Sequence, residues 1–152
     1  MDPGSVERDQ GEGGEMNEAR QKIMAIIGES GCYLLSIIHL AETCLKERLD
    51  AVEIYLDALA NKYIQMDCYI LEPAALMAMM VPGNWTMMKA DRDRPTGPGE
   101  LEILRFERKT TLKTYGHFVV GNGLGAVAWD PLGDALTVNG GELVSKRLFR
   151  RV

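Results

Sequence analysis

Cys32, His117 and Asp130 are the residues whose types and order could do chemistry together, as a thiol, an imidazole and a carboxylate. Cys32 follows the link Gly28-Glu29-Ser30-Gly31 and opens the apolar run Cys-Tyr-Leu-Leu-Ser-Ile-Ile. A thiol in the first turn of a helix sits among unpaired amides at the positive end of the helix dipole, which lowers its pKa and favours the nucleophilic thiolate. Those amides, that of Cys32 included, could supply half of an oxyanion hole for an attacked carbonyl. A buried cysteine also serves as a small apolar packing residue, and residue type alone does not separate the two roles. Cys44, placed mid-helix, and Cys68, in the run Cys-Tyr-Ile-Leu, read as packing.

A nucleophilic cysteine needs an imidazole within hydrogen-bond reach, and the chain has two histidines. His39, seven residues beyond Cys32, falls on nearly the same helix face but roughly 10 Å along the axis, out of reach. It reads as a core or groove histidine with a local hydrogen bond. His117 lies in Tyr-Gly-His-Phe-Val-Val, a strand that would hold the ring rigidly, and Gly116 would leave room for a substrate backbone. Asp130 ends the next apolar segment, Ala-Val-Ala-Trp-Asp-Pro. A hairpin centred between Gly123 and Leu124 pairs His117 with Asp130 on one face, where the carboxylate would fix the imidazole tautomer. An odd-length loop would pair His117 with Trp129 instead, and Asp130 would then only cap the turn Trp-Asp-Pro-Leu-Gly-Asp.

These residues need elements to hold them. The spacing of Ile23, Met24, Ile26 and Ile27 predicts a short helix over 17–27 ending at Gly28. A second helix from Cys32 to about Arg48, apolar nearly all round at first, should be central and buried. Asp50 should cap a third, to about Tyr63, with Val52, Leu56, Leu59 and Tyr63 as its inward stripe. Pro73 suits the first turn of a fourth, ending near Met80. Residues 91–100, rich in proline and glycine, read as an exposed loop, and the period then changes to two. Strands are expected at 101–106, 115–120, 126–130, 135–138 and 143–149. Helices first and strands after give an α+β domain, the central helix packed on a C-terminal antiparallel sheet.

Composition narrows the function classes. The 152 residues are 46% hydrophobic and 26% charged, with net charge −5, enough for one globular domain with a core. Residues 1–15 hold five acids against Arg8, a charge of −4 that leaves −1 for the rest. They read as a disordered acidic tail before a single domain over 16–152. With no basic stripe, no nucleic-acid partner is expected. No run reaches the roughly 18 apolar residues of a membrane span, and the acidic start is unlike a secretory signal, so a cytoplasmic protein is expected. Three cysteines without C-x-x-C spacing predict neither zinc nor disulfides, and no cofactor is expected. The methionines at 77, 79, 80, 87 and 88 read as core filler or as an adaptable groove.

The order of a helix-initial cysteine, several helices, then a sheet bearing histidine and aspartate resembles the papain-like cysteine peptidase superfamily. Gly116-His117-Phe118-Val119-Val120 and Val127-Ala128-Trp129-Asp130-Pro131 are similar to the histidine and aspartate strands of the bacteriocin-leader-processing peptidases. Together with Gly31-Cys32-Tyr33-Leu34-Leu35-Ser36 they also resemble a small bacterial and phage-borne papain-like family of unknown function. The resemblance runs over residues 28–150, carried by about twenty positions. It implies a papain-like fold, Cys32 as nucleophile, His117 as base, Asp130 as orienting acid, and a peptide or other amide-containing substrate. The oxyanion-hole glutamine usual before the cysteine is not in place: Gln21 lies eleven residues upstream, with Ile26 and Ile27 nearer. A peptidase or amidase is one expectation, and a catalytically degenerate binding or regulatory module of the same fold is the other.

Overall fold

The computed structural model describes the backbone of residues 3–152 and side chains from Asn17 onward, so the acidic tail expected over residues 1–15 lies outside the fully described residues. Among the described residues, five helices and five strands follow in the order α1 (Pro3–Ser30), α2 (Cys32–Leu45), α3 (Ala51–Ala60), α4 (Pro73–Met80), β1 (Trp85–Asp91), β2 (Glu100–Lys109), β3 (Thr114–Gly121), β4 (Val127–Trp129), α5 (Leu136–Asn139) and β5 (Glu142–Arg151). The strands form one antiparallel sheet, β1-β5-β2-β3-β4. The chain is thus an α+β protein whose helices come first.

The junction of the first two helices differs from expectation. Gly28 does not end α1; the helix runs on to Ser30, and the chain turns at Gly31, where the axes meet at 100°. The Gly31 amide donates to the Ile27 carbonyl at 2.7 Å, and a Cβ at Gly31 would lie 2.5 Å from that oxygen. Only glycine fits so close to the preceding turn. Gly31→Ala is expected to cost about 1–3 kcal/mol by overpacking, read as a lower denaturant midpoint, whereas Gly28→Ala, with open space around its Cβ position, should leave the midpoint near that of the unchanged chain.

α2 is central, as its composition predicts. Leu34, Ile37, Ile38, Leu40 and Ala41 are buried against Ile103, Val120 and Phe149 of the sheet and against Tyr55, Leu76, Met77 and Met80 of α3 and α4. It stops at Leu45 rather than Arg48, because Lys46 takes the left-handed conformation at φ 56°. Cys44 therefore stands exposed in the last turn, not mid-helix. Asp50 caps α3, its carboxylate accepting from the amides of Val52 at 2.9 Å and Glu53 at 3.4 Å. The inward stripe of α3 is Val52, Tyr55 and Ala58, with Leu56 exposed, because the phenolic hydroxyl of Tyr55 donates inward to the Met66 carbonyl.

Two sheet elements depart from expectation. Residues 85–91 form β1, pairing along its length with β5; of the methionines, Met77 and Met80 are core and Met88 is exposed. In place of the strand expected at 135–138, residues 136–139 form a single helical turn. It starts after Ala135, whose amide is drawn to the Asp130 carboxylate at 3.2 Å.

The sheet face turned away from α2 hides an ion pair. Glu102 and Lys146 are 2% and 4% exposed and lie 3.0 Å apart. The other oxygen of Glu102 accepts the amides of Gly123 at 3.0 Å and Gly125 at 3.1 Å. A buried carboxylate thus holds the loop between β3 and β4, the strands leading to His117 and Asp130.

Candidate active site

Three elements deliver the three side chains. Cys32 opens α2, whose N-cap is Gly31, so no cap side chain takes the amides of its first turn. His117 lies in β3, which pairs with β4 only at Val120 and Gly121, leaving the histidine at an open stretch of sheet edge. Asp130 follows β4 directly. His117 Nε2 and Asp130 Oδ1 are 2.7 Å apart, and each side chain is only 5% exposed.

This contact forms in a register other than the expected one. The turn is odd-length: Asn122 donates to the Ala126 carbonyl at 2.8 Å around Gly123-Leu124-Gly125, with Gly123 and Gly125 at positive φ. Alone, that would put His117 and Asp130 on opposite faces. A bulge beside Val120/Gly121 supplies the compensating residue, and Val120 pairs with Trp129. The register is thus two residues from the one expected, and a shift of two keeps the face, so histidine and aspartate meet as diagonal rather than direct neighbours. Asp130 also caps its turn, accepting from Leu132 N at 2.9 Å with Oδ1 and from Ala135 N with Oδ2. The orienting and capping roles weighed from the sequence coexist.

The electrostatics of the three residues are coupled. Burial by itself would raise the Cys32 pKa, but a hydrogen bond with the His117 ring and the backbone amides of Phe118 and Tyr33 outweigh it and hold the thiol below its usual range. Since Nε2 faces Asp130, Nδ1 is the nitrogen left for the thiol. His117 moves the other way: burial would lower its pKa, while Cys32 and Asp130 raise it above the ordinary imidazole value. Asp130, whose carboxyl burial would raise, is held low by His117 and the two turn amides. Each shift is toward the charged form of its group: thiolate, imidazolium and carboxylate. Burial pushes Cys68 up to about 11, helped by Asp67 and Cys32, and burial also raises Cys44.

Aromatic pairs that sequence reasoning missed align these groups. Tyr33, next to Cys32, stacks on Phe118, next to His117, with centroids 4.3 Å apart. His39 stacks on Trp129, next to Asp130, at 4.2 Å. His39 is therefore a supporting residue away from the triad, as its axial distance predicts, and its pKa is lowered by burial against the opposing pull of Glu42. Ser36 adds a further tie, donating to the Cys32 carbonyl at 2.8 Å with the Phe118 carbonyl at 3.4 Å. Only the residue types gave a signal: aromatics immediately flanking all three candidates.

Two cavities meet at Cys32. One, about 300 Å³, is shared with His117 and lined by Leu132, Ala135 and Leu136; the other, about 670 Å³, lies between helices and sheet beside Tyr33 and Cys68. Neither is lined by an asparagine or glutamine, and Gln21 is exposed on α1. The space above Gly116 is not open to a substrate: a Cβ there would sit 2.5 Å from the Arg105 guanidinium, which fills it. Among the described residues no three His, Cys, Asp or Glu side chains converge as a metal site, and no single helix is long and apolar enough to cross a membrane.

No curated protein and no solved structure matches the chain. One family model does, over residues 15–151, a span that contains Cys32, His117 and Asp130 and all five strands, and by that match the chain belongs to DUF261, a family of proteins of unknown function.

Proposed function

We propose that this protein is a papain-like cysteine peptidase or amidase that cleaves an amide bond through Cys32, His117 and Asp130. The observation that carries the proposal is the buried 2.7 Å contact of His117 with Asp130, with Cys32 lining the same cavity as His117 and its thiol pKa lowered against burial by that ring. In this scheme the thiolate attacks the amide carbonyl, and the amide groups of the α2 N-terminus receive the oxyanion. His117 gives its Nδ1 proton to the leaving amine and later takes one from the water that releases the acyl group. Asp130 keeps the ring oriented and stabilises the imidazolium.

A second reading, a degenerate binding or regulatory module, is favoured by one observation: among the described residues no side-chain amide lines either cavity at Cys32 to serve as the second oxyanion donor. One experiment separates the two. With iodoacetamide at pH 7, Cys32 is expected to alkylate at least about tenfold faster than Cys44 or Cys68, resolved by peptide mass spectrometry. Equal, slow labelling at all three sites would favour the binding module.

A further inference from the structure

The larger cavity carries a charge pattern with no structural explanation of its own. Three cations line it from three adjacent strands: Lys89 of β1, Arg147 of β5 and Arg105 of β2. Lys89 and Arg147 are directly paired across β1 and β5, while Ile103 is the residue opposite Arg147 in β2, which makes Arg105 its diagonal neighbour. Like charges in such positions destabilise a sheet. Glu107 pairs with Arg105, but no carboxylate lines the cavity. Arg147 donates to uncharged oxygens only, Ser145 Oγ at 2.9 Å and the Lys146 carbonyl at 3.3 Å. Both guanidiniums lie over the Phe118 ring, at 5.6 Å for Arg105 and 5.3 Å for Arg147, and the buried hydroxyl of Tyr33, another lining residue, has no hydrogen-bond partner among the described residues.

The two cavities divide the substrate. In the hydrolysis proposed above, on which this inference rests, His117 must reach the leaving nitrogen, so the leaving group occupies the cavity that His117 lines. The acyl portion, bonded to Cys32, then extends into the other one, which Cys32 lines and His117 does not. We propose that the cationic cavity is the acyl-side specificity pocket and that the enzyme prefers peptides with an acidic side chain, aspartate or glutamate, on the acyl side of the cleaved bond. The carboxylate would lie between Lys89 and Arg147, supplying the counter-charge the cavity lining lacks, and the Tyr33 hydroxyl is a ready donor to it.

Tripeptide vinyl sulfones that capture Cys32 from the acyl side and differ only in carrying Glu, Gln or Lys test this without a known substrate. The Glu reagent is expected to label Cys32 roughly tenfold faster than the Lys reagent, and the ratio should shrink as salt is raised. In Lys89→Gln/Arg147→Gln the Glu-to-Lys ratio is expected to fall below about twofold, while Arg147→Lys retains most of it; because each ratio is taken within one variant, changes in overall reactivity cancel. Fast iodoacetamide labelling of Cys32 together with no preference among the three reagents overturns the specificity and leaves the nucleophile standing. Slow iodoacetamide labelling of Cys32 overturns the hydrolase itself.

Discussion

If the chain is the amide hydrolase proposed above, His117→Ala is expected to lower that hydrolysis by at least about 10³-fold, because it removes both the group that would sustain the thiolate and the acid that would protonate the leaving amine. The same change should be visible without a substrate. In the unaltered protein, alkylation of Cys32 should rise with pH through a thiol pKa that His117 and the neighbouring amides hold low against burial. Without the imidazole, burial remains, and the rise should move up to the ordinary thiol range near 8.5 or beyond. Stability should carry a matching signature. His117, with its folded pKa raised, stabilises the fold below the unfolded value of about 6.5, and this contribution is lost as pH climbs through the raised value. Asp130, with its folded pKa lowered, contributes above about 3.9 and loses that contribution as pH falls through the lowered value. The variant's stability deficit should therefore be largest between about pH 4 and 6.5. An alkylation profile unchanged by the substitution would remove His117 from the role assigned to it.

Glu102→Ala is expected to cost about 3–5 kcal/mol, one of the largest losses available to a single side chain here, since it leaves Lys146 buried without its partner. It would also orphan the Gly123 and Gly125 amides and the Thr96 hydroxyl, all of which donate to the same carboxylate. The loss should appear as a melting temperature lower by roughly 10 °C, and Glu102→Ala/Lys146→Met should recover part of it, because the second change removes the uncompensated charge. The Glu102 pKa is lowered: burial opposes ionisation, but Thr96, Lys146 and Gly125 outweigh it. Its stabilisation is thus present above the ordinary glutamate value of about 4.3 and fades as pH falls through the lowered one. A loss below about 1 kcal/mol would mean that the loop and Lys146 rearrange freely, and the pair would then not anchor the β3–β4 turn.

The candidate residues were legible because each carries its own local signal. Gly31, in the link before it, places Cys32 at a helix start, although Gly28 does not end α1, and alternation places His117 in a strand. Their relation was less legible. The sequence reading joined His117 to Asp130 through an even hairpin, and the structure joins them through an odd turn plus a bulge. Bulges leave little trace in side-chain pattern, since one extra residue such as Ala128 can be absorbed without an apolar position being lost. β1 was hidden for a related reason. Its residues Trp-Thr-Met-Met-Lys-Ala-Asp alternate poorly, because the strand lies at the sheet edge and its Lys89 faces the cavity beside Cys32. Gly116 was misjudged because the guanidinium it admits comes from a neighbouring strand, a tertiary fact absent from its own segment. Glu102, between Leu101 and Ile103, drew no reading from the sequence, and only the fold shows it buried and bound to the β3–β4 loop.

The two ring stacks bear on any attempt to move this site elsewhere. Cys32, His117 and Asp130 come from three separate elements, and each is bonded in sequence to a ring clamped across the boundary between α2 and the sheet. The smallest portable unit is therefore not a triad but seven residues: Cys32-Tyr33, His39, His117-Phe118 and Trp129-Asp130. Grafting the three polar groups alone onto another scaffold would transfer the groups without their alignment.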